Sequence, residues 1–324
     1  MHLPMESATK EEICIGLDIG GTNTVLAFVD AKAKLRKHFI RASNTNESPA
    51  LFVANVCKWI AAHVGDFSIN CMGIAAPNGN CYTGELHDAP NLLWKGKVPL
   101  VALFKAALAI PVYMTNDANA AAWGEKMYGV AKASKDFVAI TLGTGLGCGI
   151  VSNGQLLVGH QGLAGEFGHT TLIPDGRKCS CGRKGCLEQY VSATGLCNTF
   201  KELCASGKQN DRFLRSKKVF SAYMIYEAAL KGDDLAVKAF QIMADHFALA
   251  LANLVALFNP ERIVLLGGVS RADAILIKPL EQAMEKYLWH IYKGKVITTR
   301  SSLKEDTAAV LGAAAIAWEE TKAI

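Results

Sequence analysis

Glu166-Phe167-Gly168-His169, then Cys179-Ser180-Cys181-Gly182, then Cys186-Leu187-Glu188, is the stretch on which the reading of this chain turns. Three cysteines and a histidine fall within eighteen residues, the number and kind of ligands that one tetrahedral Zn²⁺ takes. Ligands close in sequence are gathered at small cost in loop entropy. Gly182 and Gly185 supply the backbone angles that a tight ligand loop needs. Two acids, Glu166 and Glu188, bracket the cluster, so a metal knot here carries polar groups on its flanks. The spacing Cys-x-Cys-x4-Cys is not one of the commoner finger spacings. The same residues also admit a plainer reading, as unpaired buried thiols beside a core histidine.

The other cysteines, Cys14, Cys57, Cys71, Cys81, Cys148, Cys197 and Cys204, are scattered through apolar or helical surroundings. They read as small hydrophobes in a reducing compartment, not as a disulfide framework. A chain of 324 residues that is 51% hydrophobic can bury a sizeable core, and has room for two. The net charge of +5 is mild and dispersed. Its densest spots, Arg36-Lys37-His38 and Lys217-Lys218, read as solvated faces, so no nucleic-acid partner is expected. The first residues contain no apolar leader, and no apolar run approaches the ~20 residues of a membrane span. The expectation is a soluble, cytoplasmic, two-domain protein with no membrane partner.

Along the chain, residues 12–17 and 24–30 are apolar and β-rich and flank Asp18-Ile19-Gly20-Gly21-Thr22-Asn23, which reads as strand, glycine turn, strand. A strand is predicted over 35–41, a helix over 48–64, a strand over 69–76, a helix over 98–108 and a short strand from Pro111 to Met114. The Ala-rich run 118–128 after Asn116-Asp117 has high helix propensity. Phe137 to Val151 is again strand, glycine turn, strand, around Gly143-Thr144-Gly145. The shared pattern suggests an internal duplication. Helices are predicted over 193–206, 218–231 and 234–258. A buried strand at Arg262–Leu266 then closes on Gly267-Gly268, followed by a helix over 273–288, a strand over 294–299 and a last helix over 307–320.

Glycines between two strands let backbone amides converge on an anion with no Cβ in the way. Neither turn is a P-loop, because no G-x4-G-K-[ST] occurs, and neither is a Rossmann fingerprint, because a strand follows each. Either alone reads as an ordinary hairpin. Asp117 alone reads as the first residue of a helix, an N-cap worth about 1 kcal/mol.

In its order of motifs, Glu166-x-Gly168-His169 and then Cys179-x-Cys181-Gly182-x-x-Gly185-Cys186-Leu187-Glu188, the chain resembles the ROK family of sugar kinases and sugar-responsive repressors. The resemblance spans Ile15 to about Ala317. It implies an α/β, two-domain, actin-like ATPase (ribonuclease H-like) fold, with a cleft between the domains and a zinc knot in the larger one. A small domain would cover 1–116, completed by the C-terminal helix at about 307–324, and the larger would cover 117–306. ATP with Mg²⁺ would lie on both glycine turns (Gly20, Gly21, Thr22, Asn23; Gly143, Thr144, Gly145), with Gly267 and Gly268 at its adenosine and Asp18 at its metal–phosphate end. Asn116-Asp117-Ala118-Asn119-Ala120 matches the motif that carries the family's general base, which makes Asp117 catalytic. The family's sugar contacts map onto Asn91, Asn116, Asp117, Glu166, His169 and Glu188. His169, Cys179, Cys181 and Cys186 would hold a structural Zn²⁺, with the second ring nitrogen of His169 on a sugar hydroxyl.

One departure stands where many family members carry Pro-Gly-Pro-Val-Asp: here the run is Pro77-Asn78-Gly79-Asn80. Asn78 either adds a sugar contact or makes an Asx turn. The reading that follows is an ATP-dependent hexokinase, with glucose and its 6-hydroxyl as first choice and an N-acetylhexosamine or fructose kinase as rivals. A sugar-sensing relative without catalysis is the rival from another class. Fewer than twenty residues precede Asp18, too few for the helix-turn-helix domain of such repressors. By resemblance the partners are a sugar, ATP and further copies of the chain, as dimer or tetramer.

Overall fold

Glu12–Ile19 (β1) and Asn23–Asp30 (β2) are almost continuously buried, as apolar runs covered on both faces must be. The structure, a computed structural model, describes residues 10–43, 46–89, 92–206, 220–304 and 306–323. The chain divides into two compact units, Met1–Gly124 with Asp306–Ile324, and Glu125–Glu305.

In the first unit β2 also pairs with Leu35–Ala42 (β3), a charged and largely solvated edge strand of the kind that resists edge-to-edge pairing. After the helix Pro49–Val64 (α1) come Ser68–Ala76 (β4), the small pair Leu86–His87 (β5) and Lys97–Val98 (β6), the helix Leu100–Leu108 (α2), and Val112–Asn116 (β7). Ser48 caps α1 by accepting from the Leu51 N–H, and Pro49 sits in the first turn, where it gives up no needed donor. The sheet order is β3-β2-β1-β4-β7; β1–β2 and β2–β3 are antiparallel, β1–β4 and β4–β7 parallel. Ile13, Ile15 and Leu17 face one side and pack with Phe52, Val56 and Ile60 of α1 and Phe104 of α2.

The opposite face of β1 and β4 carries Gly16 and Gly73, paired side by side in register. The C-terminal helix, Ala308–Lys322, lies against them so closely that a Cβ at Gly16 would overlap the Val310 carbonyl, and one at Gly73 the Ala313 carbonyl. The helix Asp117–Tyr128 (α3) packs on that helix in the same way. A Cβ at Gly124 would overlap the Ala308 carbonyl, and one at Gly312 the Ala120 carbonyl. The first two turns of α3 therefore belong to the first unit.

The second unit repeats the topology. Phe137–Leu142 (β8), Leu146–Ser152 (β9) and Gln155–Leu156 (β10) form antiparallel pairs, and Arg262–Leu266 (β11) and Ile297–Arg300 (β12) add in parallel. The order β10-β9-β8-β11-β12 is that of the first sheet, so the expected duplication and actin-like fold are met. The helices of this unit are Ala193–Ser206 (α4), Ala222–Leu230 (α5), Asp234–Phe258 (α6) and Lys278–Tyr287 (α7). Lys217-Lys218 and the first residues of the helix expected over 218–231 lie outside the described residues. Although α6 is long and apolar enough to cross a membrane, its Phe240, Met243, Phe247, Leu251 and Val255 are buried in the unit's core with Phe200 and Leu265.

Several boundaries differ from expectation: the helix expected from 98 starts at Leu100, after a strand at Lys97–Val98, and the one expected from 218 starts at Ala222. Residues 273–277 form a single π turn before α7, because Pro279 has no N–H to continue an α-helical ladder. The last strand starts at Ile297, since Gly294 turns with a φ of 69°. All ten cysteines are free thiols.

Replacing Gly73 by alanine is expected to cost about 1–3 kcal/mol by forcing the C-terminal helix off the sheet. A lowered thermal midpoint by near-ultraviolet circular dichroism would register it; an unchanged midpoint would refute the close-contact account.

Candidate active site

In the first unit the candidate residues gather at the carboxyl ends of the parallel strands β1, β4 and β7. Asp18 is the last residue but one of β1, Asn116 closes β7 and Asp117 opens α3. Asn116 takes the capping role that the sequence offered to Asp117: its Oδ1 accepts from the Ala118 N–H at 2.8 Å and the Asn119 N–H at 3.3 Å. Asp117 Oδ1 also accepts from Ala118 N–H at 2.8 Å. Burial raises the Asp117 carboxyl above its usual range, and the Ala118 N–H partly offsets this. Burial, followed by the negative charge of Asp117, pushes Asp18 up to about 7. Two shielded carboxylates that repel one another favour a cation nearby.

The turn Gly20–Thr22 is closed by Gly20 N–H on the Asn23 carbonyl at 2.9 Å. Ser43, which the sequence reading did not single out, braces it. Its N–H reaches the Thr22 carbonyl at 2.8 Å and its hydroxyl bonds the Gly20 carbonyl and Thr24. Asn78 sits at φ 54°, and its amide donates to the carbonyls of His87 at 3.0 Å and Asp88 at 3.4 Å. That is a turn-forming role. The Asx turn itself belongs to Asn80, whose Oδ1 accepts from Tyr82 and Thr83 N–H. Asn91 lies outside the described residues.

In the second unit the four expected metal ligands come together. One ligand atom each from His169, Cys179, Cys181 and Cys186 lie within 4.8 Å of one another. Cys179 Sγ is 3.7 Å from His169 Nδ1, and Cys181 Sγ is 3.6 Å from Cys186 Sγ. Tetrahedral zinc with Zn–S bonds of about 2.3 Å sets neighbouring sulfurs about 3.8 Å apart, so the donor set fits the ion in kind and in size. Gly182 and Gly185 have φ of 85° and 76°, and a Cβ at Gly185 would overlap the Ile173 carbonyl.

With Nδ1 of His169 toward the sulfurs, Nε2 faces outward, 3.9 Å from Glu166 Oε2. Glu188 approaches from the other side, its Oε1 accepting from the Cys179 thiol at 3.0 Å. It also abuts the second glycine turn, where a Cβ on Gly145 would come to 2.9 Å from Glu188 Oε2. That turn is held to the start of α4, through Ala193 N–H on the Gly143 carbonyl at 2.9 Å and the Thr194 hydroxyl on the Thr144 carbonyl at 2.8 Å. Gly267, at φ 87°, packs on the end of β8 with no room for a Cβ against the Leu142 carbonyl, and Gly268 opens a short 3-10 turn.

Arg177, another residue outside the sequence reading, staples the knot. Its guanidinium pairs with both oxygens of Glu202 at 2.8 and 2.6 Å, reaches the Gln189 carbonyl at 2.6 Å and lies 4.5 Å over the Tyr190 ring. The loop carrying Cys179 is thereby tied to the residues after Glu188.

The known proteins that the chain resembles include both glucokinases and sugar-named repressors, among them a xylose repressor of Caldicellulosiruptor bescii that is 34% identical over 72% of this chain and 58% of its own. The model of the ROK family matches residues 14–320. A glucokinase of Halalkalibacterium halodurans is 36% identical, over 84% of this chain and 85% of its own. A glucokinase of Thermotoga maritima is 32% identical over 94% and 97%. The crystal structure of a ROK family glucokinase from Streptomyces griseus in complex with glucose and AMPPNP aligns at a TM-score of 0.81 and 32% identity, over 95% of this chain and 99% of that one. This chain belongs to the ROK family.

The raised Asp18 gives a stability test. The folded chain holds that proton more tightly than the unfolded one, so its contribution is complete below the ordinary value of 3.8 and is lost as the pH rises through about 7. Asp18→Asn is expected to raise the thermal midpoint at pH 8, with the gain vanishing by about pH 4. A gain independent of pH would contradict the assignment.

Proposed function

We propose that this ROK protein is an ATP-dependent glucokinase that transfers the γ-phosphoryl group of ATP to the 6-hydroxyl of glucose. The observation that carries the reading is the likeness, over nearly the whole chain, to the glucokinases above and to one solved with glucose and an ATP analogue.

In this reading Asp117 is the general base. Its carboxylate accepts the hydroxyl proton as the sugar oxygen attacks the γ-phosphorus, and ADP leaves with the electron pair of the broken P–O bond. Burial raises the Asp117 carboxyl, which makes it a stronger proton acceptor than an ordinary aspartate. Because Asn116 does the capping, Asp117 is not needed to start the helix. Asn116, Glu166, His169 and Glu188 would bind sugar hydroxyls, to which carboxylates, amides and an imidazole offer matched partners; Asn91 keeps the same role on resemblance alone. The backbone of Gly20–Asn23 and Gly143–Gly145 would bind the phosphates, and Gly267-Gly268 the adenosine. Asp18 would face Mg²⁺, which neutralises charge developing on the phosphates.

Zinc on His169 Nδ1, Cys179, Cys181 and Cys186 would fix the imidazole's tautomer and aim Nε2 at the sugar. The ion would be structural in coordination and functional in consequence. By resemblance, the protein would work as a dimer or tetramer.

A coupled ADP-release assay with Mg²⁺·ATP and a panel of glucose, mannose, fructose, N-acetylglucosamine and N-acetylmannosamine tests the reading. Fast turnover on glucose is expected; sugar binding with no turnover on any of them would make the protein a sensor instead. Asp117→Asn is expected to lower kcat by roughly 10²–10⁴-fold, with glucose affinity by calorimetry little changed. Wild-type turnover in that variant would remove Asp117 from the mechanism. Cys181→Ala should lose bound zinc by metal analysis and glucose binding together, and normal sugar affinity without zinc would defeat the scaffold role.

A further inference from the structure

Glu125 is completely buried, and the function proposed above gives it no task. It lies in the last turn of α3, where the second unit begins. A carboxylate survives burial only when donors satisfy its oxygens. Oε2 accepts from the Val130 N–H at 3.0 Å, and Oε1 accepts from the Ser301 hydroxyl. Gly129 leaves space for this, because a Cβ there would overlap Oε2. Burial raises the Glu125 carboxyl, and the bonds from Ser301 and Val130 pull it back.

Ser301 is where the network meets a binding surface. It follows β12 directly, its N–H donates to the Leu265 carbonyl at 2.9 Å, and its hydroxyl oxygen accepts from the Leu303 N–H at 3.0 Å. These three bonds fix the course of the chain at 301–303. That segment walls a cavity of about 320 Å³ whose lining includes Gly267, Arg271, Arg300, Ser301 and Lys304. The volume is that of a small-ligand site, and guanidinium groups at its rim suit stacking on a base or attraction of an anion. The carboxylate of Glu125, on the last turn of α3, thus sits one hydrogen bond behind the wall, and its other bond holds the chain just past α3 at Val130.

We propose that Glu125 is a positioning residue for the nucleotide: through Ser301 it sets the wall of the cavity beside Gly267 that holds the nucleoside end of ATP. This rests on the assignment of Gly267 and Gly268 to the nucleotide. A residue with only a general structural role would weaken sugar and nucleotide sites alike. A positioning residue for this wall affects the nucleotide alone.

The test uses the full-length protein and the variants Glu125→Gln, Ser301→Ala, Ser301→Thr and Gly129→Ala, measuring KM for ATP and for glucose, kcat, and ADP affinity by calorimetry. Loss of one hydrogen bond to a charged group predicts a roughly tenfold or greater rise in KM for ATP and in the Kd for ADP in Glu125→Gln and Ser301→Ala. KM for glucose and kcat stay near wild type. Ser301→Thr, which keeps the hydroxyl, restores ADP affinity, and Gly129→Ala, which crowds Oε2, lowers it. The double variant Glu125→Gln/Ser301→Ala is no worse than either single one, as members of one network are non-additive. Should Glu125→Gln fail to fold, Ser301→Ala and Gly129→Ala carry the same test. Unchanged ADP affinity in the folded variants, or equal losses for glucose and ADP, overturns the role of Glu125 while leaving the kinase reading intact. Wild-type protein that binds no ADP overturns both.

Discussion

Backbone-to-backbone contact between the C-terminal helix and the first sheet is the constraint on which the placement of the catalytic candidates depends. Side chains ordinarily keep a helix about 10 Å from the sheet it covers. Here Gly16 and Gly73, adjacent in register, remove the side chains on the sheet side, and the helix brings mostly alanine to meet them. α3 then leans on the same helix through Gly124 and Gly312. Since α3 begins at Asp117, the position of that carboxylate is set by glycines far from it in sequence. Trp318 and Trp123 finish the docking, with indole N–H bonds to the Val29 carbonyl at 3.3 Å and to Glu319 at 3.1 Å.

The two sheets share one topology, and each collects its candidate residues at the carboxyl ends of its parallel strands, where α/β sheets commonly bind ligands. Strand burial has a consequence there. A chain buried along both faces of β1 or β7 reaches the sheet's end with its polar residue still partly shielded from water. That shielding, before any neighbour is counted, is the first cause of the raised carboxyls of Asp18 and Asp117. In the second unit the corresponding strand ends carry no acid. β8 runs into Gly143–Gly145 and β11 into Gly267-Gly268, offering amides where the first unit offers carboxylates. The duplicated fold therefore presents opposite chemistry at equivalent places.

Much of this was legible in the sequence because it depended on local signals. The glycine turns lie between β-rich runs, the residues of the knot are neighbours in sequence, and the Ala-rich run after Asn116-Asp117 has high helix propensity. What escaped depended on distance along the chain. Ser43 braces the first turn only because β3 pairs with β2, and Ser301 reaches Glu125 only because β12 lies beside β11. A lone buried Glu in an Ala-rich helix has no sequence signature that separates it from a solvated one. Asn78 shows a subtler limit. The residue reading offered an Asx turn or a sugar contact; its amide donates to the carbonyls of His87 and Asp88, a pairing no local pattern announces, while its neighbour Asn80 makes the Asx turn.

In the proposed reading one histidine of the knot serves two purposes. An imidazole free to rotate presents either nitrogen in either tautomer, and ordering it costs entropy each time a ligand binds. His169 lies in a 3-10 turn, with its Nδ1 toward Cys179 and its Nε2 toward Glu166. Zinc at Nδ1 would leave the proton on Nε2, and the outward nitrogen would then be a donor of fixed direction. Glu166 and Glu188 then supply acceptors on either side, and Arg177 holds the loop beneath them through Glu202 and Tyr190. A rigid donor between two acceptors is a pattern that a hydroxyl of defined orientation satisfies and a misplaced one does not. With zinc and a hexose bound as proposed, selectivity among hexoses would follow from the stiffness of the knot as much as from the identity of the residues around it.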